Sequence, residues 1–275
     1  MKVKKRKIFI IIISIIILIL AFAFFISPYS CALLKSKSHF IKHTKNEIVL
    51  YEPGVEEYAN SIAAYLPEAI KRVEEVHKLP FEYSFKIYIC NTQKSFNEFT
   101  ANSPTFPIRG TALLGDVFIA PSAFNFMGID THKETLVHEL SHLHFQQRLG
   151  FFDRRKLPVW FSEGFADYVA GSGGEGIGES DAINFLLNGI HFIPDVEGDI
   201  LGIVSGAANG LSGPMFHQQA KMFVTYIIES DSLKFNLFLL EIQEGTTFSE
   251  TFNKIMETSI QDKWKGFLLQ LREQY

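Results

Sequence analysis

Apolar positions in this chain follow three patterns: one unbroken run near the start, helical spacing over several long stretches, and period-two alternation between them. The unbroken run is Ile8 to Ile26, nineteen residues with only Ser14 polar. At 1.5 Å per residue it reaches about 28 Å, enough to cross a hydrocarbon core. Five cations precede it, Lys2, Lys4, Lys5, Arg6 and Lys7. These features predict a basic cytoplasmic segment at 1–7 and a transmembrane anchor at 8–26, with the rest of the chain outside the cell by the positive-inside rule. The exit Ile26-Ser27-Pro28-Tyr29-Ser30 has no small-x-small site, which argues against a cleaved signal peptide, and no lipoprotein box precedes Cys31.

Beyond the anchor, residues 27–46 read as a juxtamembrane linker and 47–275 as one domain of two lobes, long enough to bury a sizeable core. From Pro53 to Lys78 the apolar spacing of Val55, Ala59, Ile62, Leu66 and Val73 predicts a helix that starts at Pro53, stops at Leu79-Pro80 and kinks at Pro67. Phe81 to Cys90 alternates as a half-buried strand, Thr92 to Thr100 reads as a short helix, and Thr111–Leu114 with Asp116–Ala120 around Gly115 reads as a hairpin. Helices dominate after Thr131. A capping box, Thr131-His132-Lys133-Glu134, opens one of about 17 residues that Gly150 closes; another runs from Pro158 to Gly171.

The first of those two helices contains His138-Glu139-Leu140-Ser141-His142, an HExxH sequence. Residues four apart sit one turn above each other, so the two imidazoles converge on one point in space, as a zinc ion requires. Glu139 lies about 100° round the helix, near enough to reach a metal-bound water without coordinating, the position of a base. The second helix is mostly apolar yet carries Glu163 and Asp167 four apart on one face. Buried carboxylates need partners, so this face is either solvated or turned to a metal and the histidines that hold it.

Charge and cysteine content narrow the class further. The formal net charge of −4 hides a split, since setting aside the five N-terminal cations leaves 21 basic against 30 acidic side chains, a net of −9. An acidic domain of this kind excludes nucleic acid as a partner. Cys31 and Cys90 are too few for a disulfide framework and read as unpaired structural thiols. Gly171 to Gly178 holds five glycines but no Lys-Ser/Thr ending, so it is a flexible loop, a lid at most, and not a phosphate cradle. His144 points about 200° away from His142 and is structural. His39, His43, His77, His132 and His191 have no partner pattern.

His138-Glu139-x-x-His142, Glu163 after twenty intervening residues, and the surrounding Leu157-Pro158-Val159-Trp160-Phe161-Ser162-Glu163-Gly164-Phe165-Ala166 resemble the gluzincin peptidases, specifically the small bacterial peptidase MA-like domains, most strongly from about Gly110 to Gly171. The resemblance implies Zn2+ held by His138, His142 and Glu163, Glu139 as the base, and Asp167 as partner of a ligand histidine. The implied fold class is α+β: an N-terminal transmembrane helix, then a zincin-like domain with a small β-sheet lobe, the HExxH helix and a mainly helical C-terminal lobe. The expected protein is a membrane-anchored, extracytoplasmic zinc metallopeptidase acting on a peptide or protein. An edge strand near Asp116 to Ala120 would hold the substrate backbone, unless that strand is internal. A non-catalytic, zinc-stabilised binding or sensor domain at the envelope is the alternative, and retention of Glu139 speaks against it. An intramembrane protease is excluded, because the motif helix carries Lys133, Glu134, Gln146, Gln147 and Arg148.

One position departs from the resemblance. Gluzincins often place a tyrosine near the start of a later helix to donate to the oxyanion, and here Ser212-Gly213-Pro214-Met215-Phe216-His217 has none. His217 is the expected substitute, kept neutral by the helix dipole and donating its one N–H, with Tyr226 the weaker candidate.

Overall fold

A computed structural model describes residues 34–101, 108–173, 176–198 and 210–275, with Ile13 and Ala32. Among them the architecture is mixed α/β, with one five-stranded sheet and nine α-helices. The strands are β1 (Ile41–His43), β2 (Asn46–Tyr51), β3 (Ile87–Ile89), β4 (Gly110–Leu113) and β5 (Asp116–Ile119), in the order β1-β2-β3-β5-β4. The sheet thus begins at Ile41, within the segment expected to be a linker. The inner three strands run parallel, with Val49, Ile87 and Val117 in register across them. Both outer pairs are antiparallel hairpins.

Period-two side-chain direction explains why these short strands are apolar throughout. Val49, Ile87, Ile89, Val117 and Ile119 enter the main core, while Leu50, Tyr88 and Phe118 enter a smaller one on the opposite face. Helices α1 (Glu56–His77) and α3 (His132–Asp153) cover the first face, and α2 (Gln93–Thr100) covers the second through Phe96 and Phe99. Thr92 caps α2 by accepting the Ser95 N–H at 3.1 Å. Pro67 lies inside α1 without interrupting it. Of the stretch from Phe81, only Ile87–Ile89 forms ladder pairs.

The remaining helices are α4 (Val159–Ala170), α5 (Glu179–Leu187), α6 (Gly213–Ser230), α7 (Ser232–Gln243), α8 (Phe248–Met256) and α9 (Ile260–Gln274). They pack about an aromatic core that includes Trp160, Phe161, Phe223, Phe238, Phe248 and Trp264. Part of the Gly171–Gly178 loop, residues 174–175, lies outside the described residues.

The expected transmembrane helix does not stand. Among the described residues no helix is long and apolar enough to cross a membrane, and the run 8–26 lies outside them apart from Ile13. The two longest helices, α1 and α3, fail for a physical reason: α1 carries Glu56, Glu57, Glu68, Lys71, Arg72, Glu74 and Glu75, and α3 carries Lys133, Glu134, Glu139, Arg148 and Asp153. The single-pass, extracytoplasmic placement built on that helix falls with it. The fold class is therefore corrected to mixed α/β.

Candidate metal centre

Helix α3 begins differently from its sequence signature. The Thr131 hydroxyl turns away to donate to the Ala123 carbonyl at 3.0 Å, and Asp130 Oδ1 accepts the His132 N–H at 3.2 Å instead. The helix then runs unbroken until Gly150, whose φ of 73° and ψ of 177° end the helical path. A 3-10 turn (Arg154–Lys156) leads into α4, with Pro158 at its N-cap and Gly171 in the left-handed conformation at its end. Gly164 sets how α4 meets α6: a Cβ there would lie 2.6 Å from the Ala220 backbone. Close contact of these two backbones brings Glu163, Asp167 and His217 together.

Three donor atoms converge. His138 Nε2 and His142 Nε2 are 3.0 Å apart, and Glu163 Oε2 is 3.3 Å from each. Ligand atoms held at about 2.0–2.1 Å around one tetrahedral zinc are about 3.3 Å from one another, so the spacing suits such an ion. Hydrogen positions support the same reading. Asp167 Oδ1 and Oδ2 lie 2.8 Å from His138 Nδ1 and His217 Nδ1, and a carboxylate only accepts, so both Nδ1 atoms carry the hydrogen. In neutral His138 the Nε2 lone pair then faces His142 Nε2 and a carboxylate oxygen, an arrangement that repels unless a cation or proton lies among them. The group His138, His142 and Glu163 could therefore hold a metal ion. Ser162 Oγ stands 3.3 Å from His142 Nδ1 and fixes the second ring, a contact that the sequence pattern did not single out.

The electrostatics follow from burial and pairing. Burial alone would depress His138, but the Asp167 charge and hydrogen bond, with Glu163, hold it well above the usual imidazole range. Burial would raise Glu163, yet the His142 charge and hydrogen bonds from both histidines hold it well below the usual carboxylate range. His217 is also raised, because its Asp167 partner outweighs burial. The Asp167 pairing thus works against the neutral ring expected from the helix dipole: His217 is the fifth residue of α6, and the single N–H of a neutral ring is spent on Asp167. Only the imidazolium has an Nε2–H to offer. Tyr226 packs against Phe267, with its hydroxyl toward Gly266.

Glu139 is buried beside this cluster, against β4, where a Cβ on Gly110 would stand 2.7 Å from Glu139 Cγ. The two open into a cleft of about 610 Å³ that also takes in Ala112, Phe126, Arg154 and His217. Strand β4 is one of the sheet's two edge strands, and β5, which includes most of Asp116 to Ala120, is internal. His144 donates its Nε2–H to the Leu79 carbonyl at 2.8 Å and takes no part in the cluster. His132 pairs with Asp130 and Ser61, and His77 with Ser141. Cys90 is free and buried, and burial pushes its thiol far up.

No family model and no curated protein matches the chain. Among solved structures, the structure of native yeast LTA4 hydrolase is similar at a TM-score of 0.49 and 12% identity, over 83% of this chain and 37% of that one. The chain spans little more than a third of that protein. At this degree of likeness the site rests on its own geometry.

Proposed function

We propose that the chain is a zinc-dependent peptidase of gluzincin type, with His138, His142 and Glu163 as ligands. The convergence of those three donor atoms at 3.0–3.3 Å, with Glu139 buried alongside, carries the reading. Bound there, zinc would act as a Lewis acid, polarising a scissile carbonyl and acidifying water. Glu139 accepts the proton of the attacking water and returns it to the leaving amine. Asp167 orients His138 through one oxygen and His217 through the other. The His217 imidazolium donates Nε2–H to the developing oxyanion. An extended peptide lies along β4, whose outer edge, unpaired among the described residues, lines the cleft and can accept one more strand. Gly110, lacking a side chain, lets that strand approach Glu139.

The test is metal analysis of the purified protein followed by a mixed peptide library assayed beside Glu139→Gln. The expected result is about one zinc per chain in both proteins and cleavage by the wild type alone. Equal cleavage by the two proteins, or a wild type free of zinc after reconstitution, overturns it.

A further inference from the structure

Among the described residues, the cleft beside the candidate metal centre is lined by three of the chain's seven arginines, Arg109, Arg154 and Arg155, and by no lysine. Against them stand two lining carboxylates, Glu139 and Glu163, both already assigned to chemistry. Counting only the arginines and carboxylates among the described lining residues, positive groups exceed negative ones by one, and a divalent ion would add two more. This contrasts with a chain whose formal net charge is −4. A concave wall with a local excess of one sign in an oppositely charged protein focuses field on the ligand that enters.

The arginines are held in place. Arg154 and Arg155 sit half-buried on the 3-10 turn between the two motif helices. The Leu157 N–H bonds back to the Arg154 carbonyl at 3.1 Å, and the Gly198 N–H bonds to the Lys156 carbonyl at 2.7 Å. A Cβ on Gly198 would lie 2.2 Å from the Arg155 carbonyl oxygen, so the neighbouring segment is seated directly on this turn. Among the described residues the Arg154 guanidinium makes no hydrogen bond or ion pair; it feels Glu163 and Glu139 only at longer range, and burial lowers its pKa. By contrast, Arg148 is paired with Glu82 at 2.7 Å and Arg72 is bound to the Val169 carbonyl. Across the cleft Arg109 precedes β4, its guanidinium 5.1 Å from the centre of the Phe126 ring.

We propose that Arg154, with Arg155 beside it and Arg109 on the facing wall, recognises a carboxylate on the substrate, so that the cleft selects peptides with an acidic group near the scissile bond. A planar guanidinium on a fixed turn is suited to bidentate carboxylate binding in a way that a flexible lysine is not. The carboxylate is either an Asp or Glu side chain or the free C-terminus of a short peptide. The proposal rests on the peptidase reading, but its test does not need turnover.

Four peptides of one neutral sequence, each with an uncharged dye at the N-terminus, are titrated into full-length Glu139→Gln protein, metal-free and zinc-loaded, and binding is read by fluorescence anisotropy. One has a free C-terminus, one is amidated, one is amidated with a single Glu, and one is amidated with a single Lys. A carboxylate-bearing peptide binds roughly 10- to 100-fold tighter than the neutral amide, and whichever of the two does so identifies the source. Adding Arg154→Gln removes most of that preference, Arg154→Lys restores part of it, and Arg154→Glu reverses it toward the Lys peptide. Equal affinity for all four within about twofold, a wild-type preference for the Lys peptide, or no binding at all overturns the proposal. Preferential binding of acidic peptides that the wild type never cleaves upholds it and removes the peptidase reading. Cleavage without any acidic preference does the reverse.

Discussion

Replacing Asp167 with Asn tests whether one carboxylate organises both the metal-binding and the oxyanion side of the cleft. Its two oxygens each accept an imidazole Nδ1–H at 2.8 Å, and the residue is buried at 4% exposure, so water cannot substitute for a lost contact. Asparagine keeps one acceptor but presents an NH2 where the second oxygen stood, facing an N–H. At least one of the two bonds breaks, and the survivor is no longer charge-assisted. A hydrogen bond to a charged group contributes about 1.5–3 kcal/mol. Loss of such a partner to a ligand histidine typically lowers metal affinity about 10- to 100-fold. Asp167→Asn is therefore expected to weaken zinc binding by that factor, measured by competition with a chromophoric chelator at fixed pH, and to lower kcat further at saturating zinc. His217→Phe separates the two effects: it should leave zinc affinity unchanged and lower kcat by about 100-fold, the value of one lost oxyanion donor at about 2.7–4 kcal/mol. Zinc affinity of Asp167→Asn within about twofold of the wild type would refute the reasoning.

Elemental analysis should find zinc lost from Glu163→Gln and from His142→Ala but retained by Glu139→Gln; full occupancy of Glu163→Gln would place the third ligand elsewhere. Gly110→Ala puts a Cβ 2.7 Å from Glu139 Cγ and 2.8 Å from Thr135 Cγ2, so kcat should fall about tenfold or more with zinc content unchanged, and an unaltered kcat would mean that Glu139 tolerates displacement. Acid should weaken the metal-free fold through His144, which burial pushes down to about 4 from 6.5 and which packs on His77, itself held well below the usual range. The unfolded chain takes up these protons and the folded chain does not, so this stability is whole above about pH 6.5 and is lost as pH falls toward 4. His144 alone accounts for about 2 kcal/mol by pH 5, and urea midpoints of wild type and His144→Phe that fall in parallel between pH 7 and 5 would exclude it.

Much of the centre could be read from spacing alone because helices turn sequence distance into direction. His138, Glu139 and His142 need only one regular helix to take up their mutual positions, and Gly150 and Gly171 mark where the two helices stop. What failed was whatever depends on pairing or packing between distant segments. A hairpin in sequence does not say which of its strands meets the rest of the sheet; here β5 pairs with β3, leaving β4 as the edge, because the parallel register Val117 with Ile87 buries apolar side chains on both faces. The neutral His217 was inferred from its own helix alone, whereas its ring pairs with Asp167, fifty positions earlier in the chain, a contact that spacing does not reveal. The apolar run at 8–26 supported an anchor by length and composition, yet no described helix has that character. Arg154 and Arg155 show the same limit from the functional side. A basic pair between two helices reads as a solvated connector, and a 3-10 turn has no periodicity to reveal a face. Only when α3 and α4 bring His142 and Glu163 to one point must the short chain between Gly150 and Pro158 pass beside that point, which turns two connector residues into part of the cleft wall.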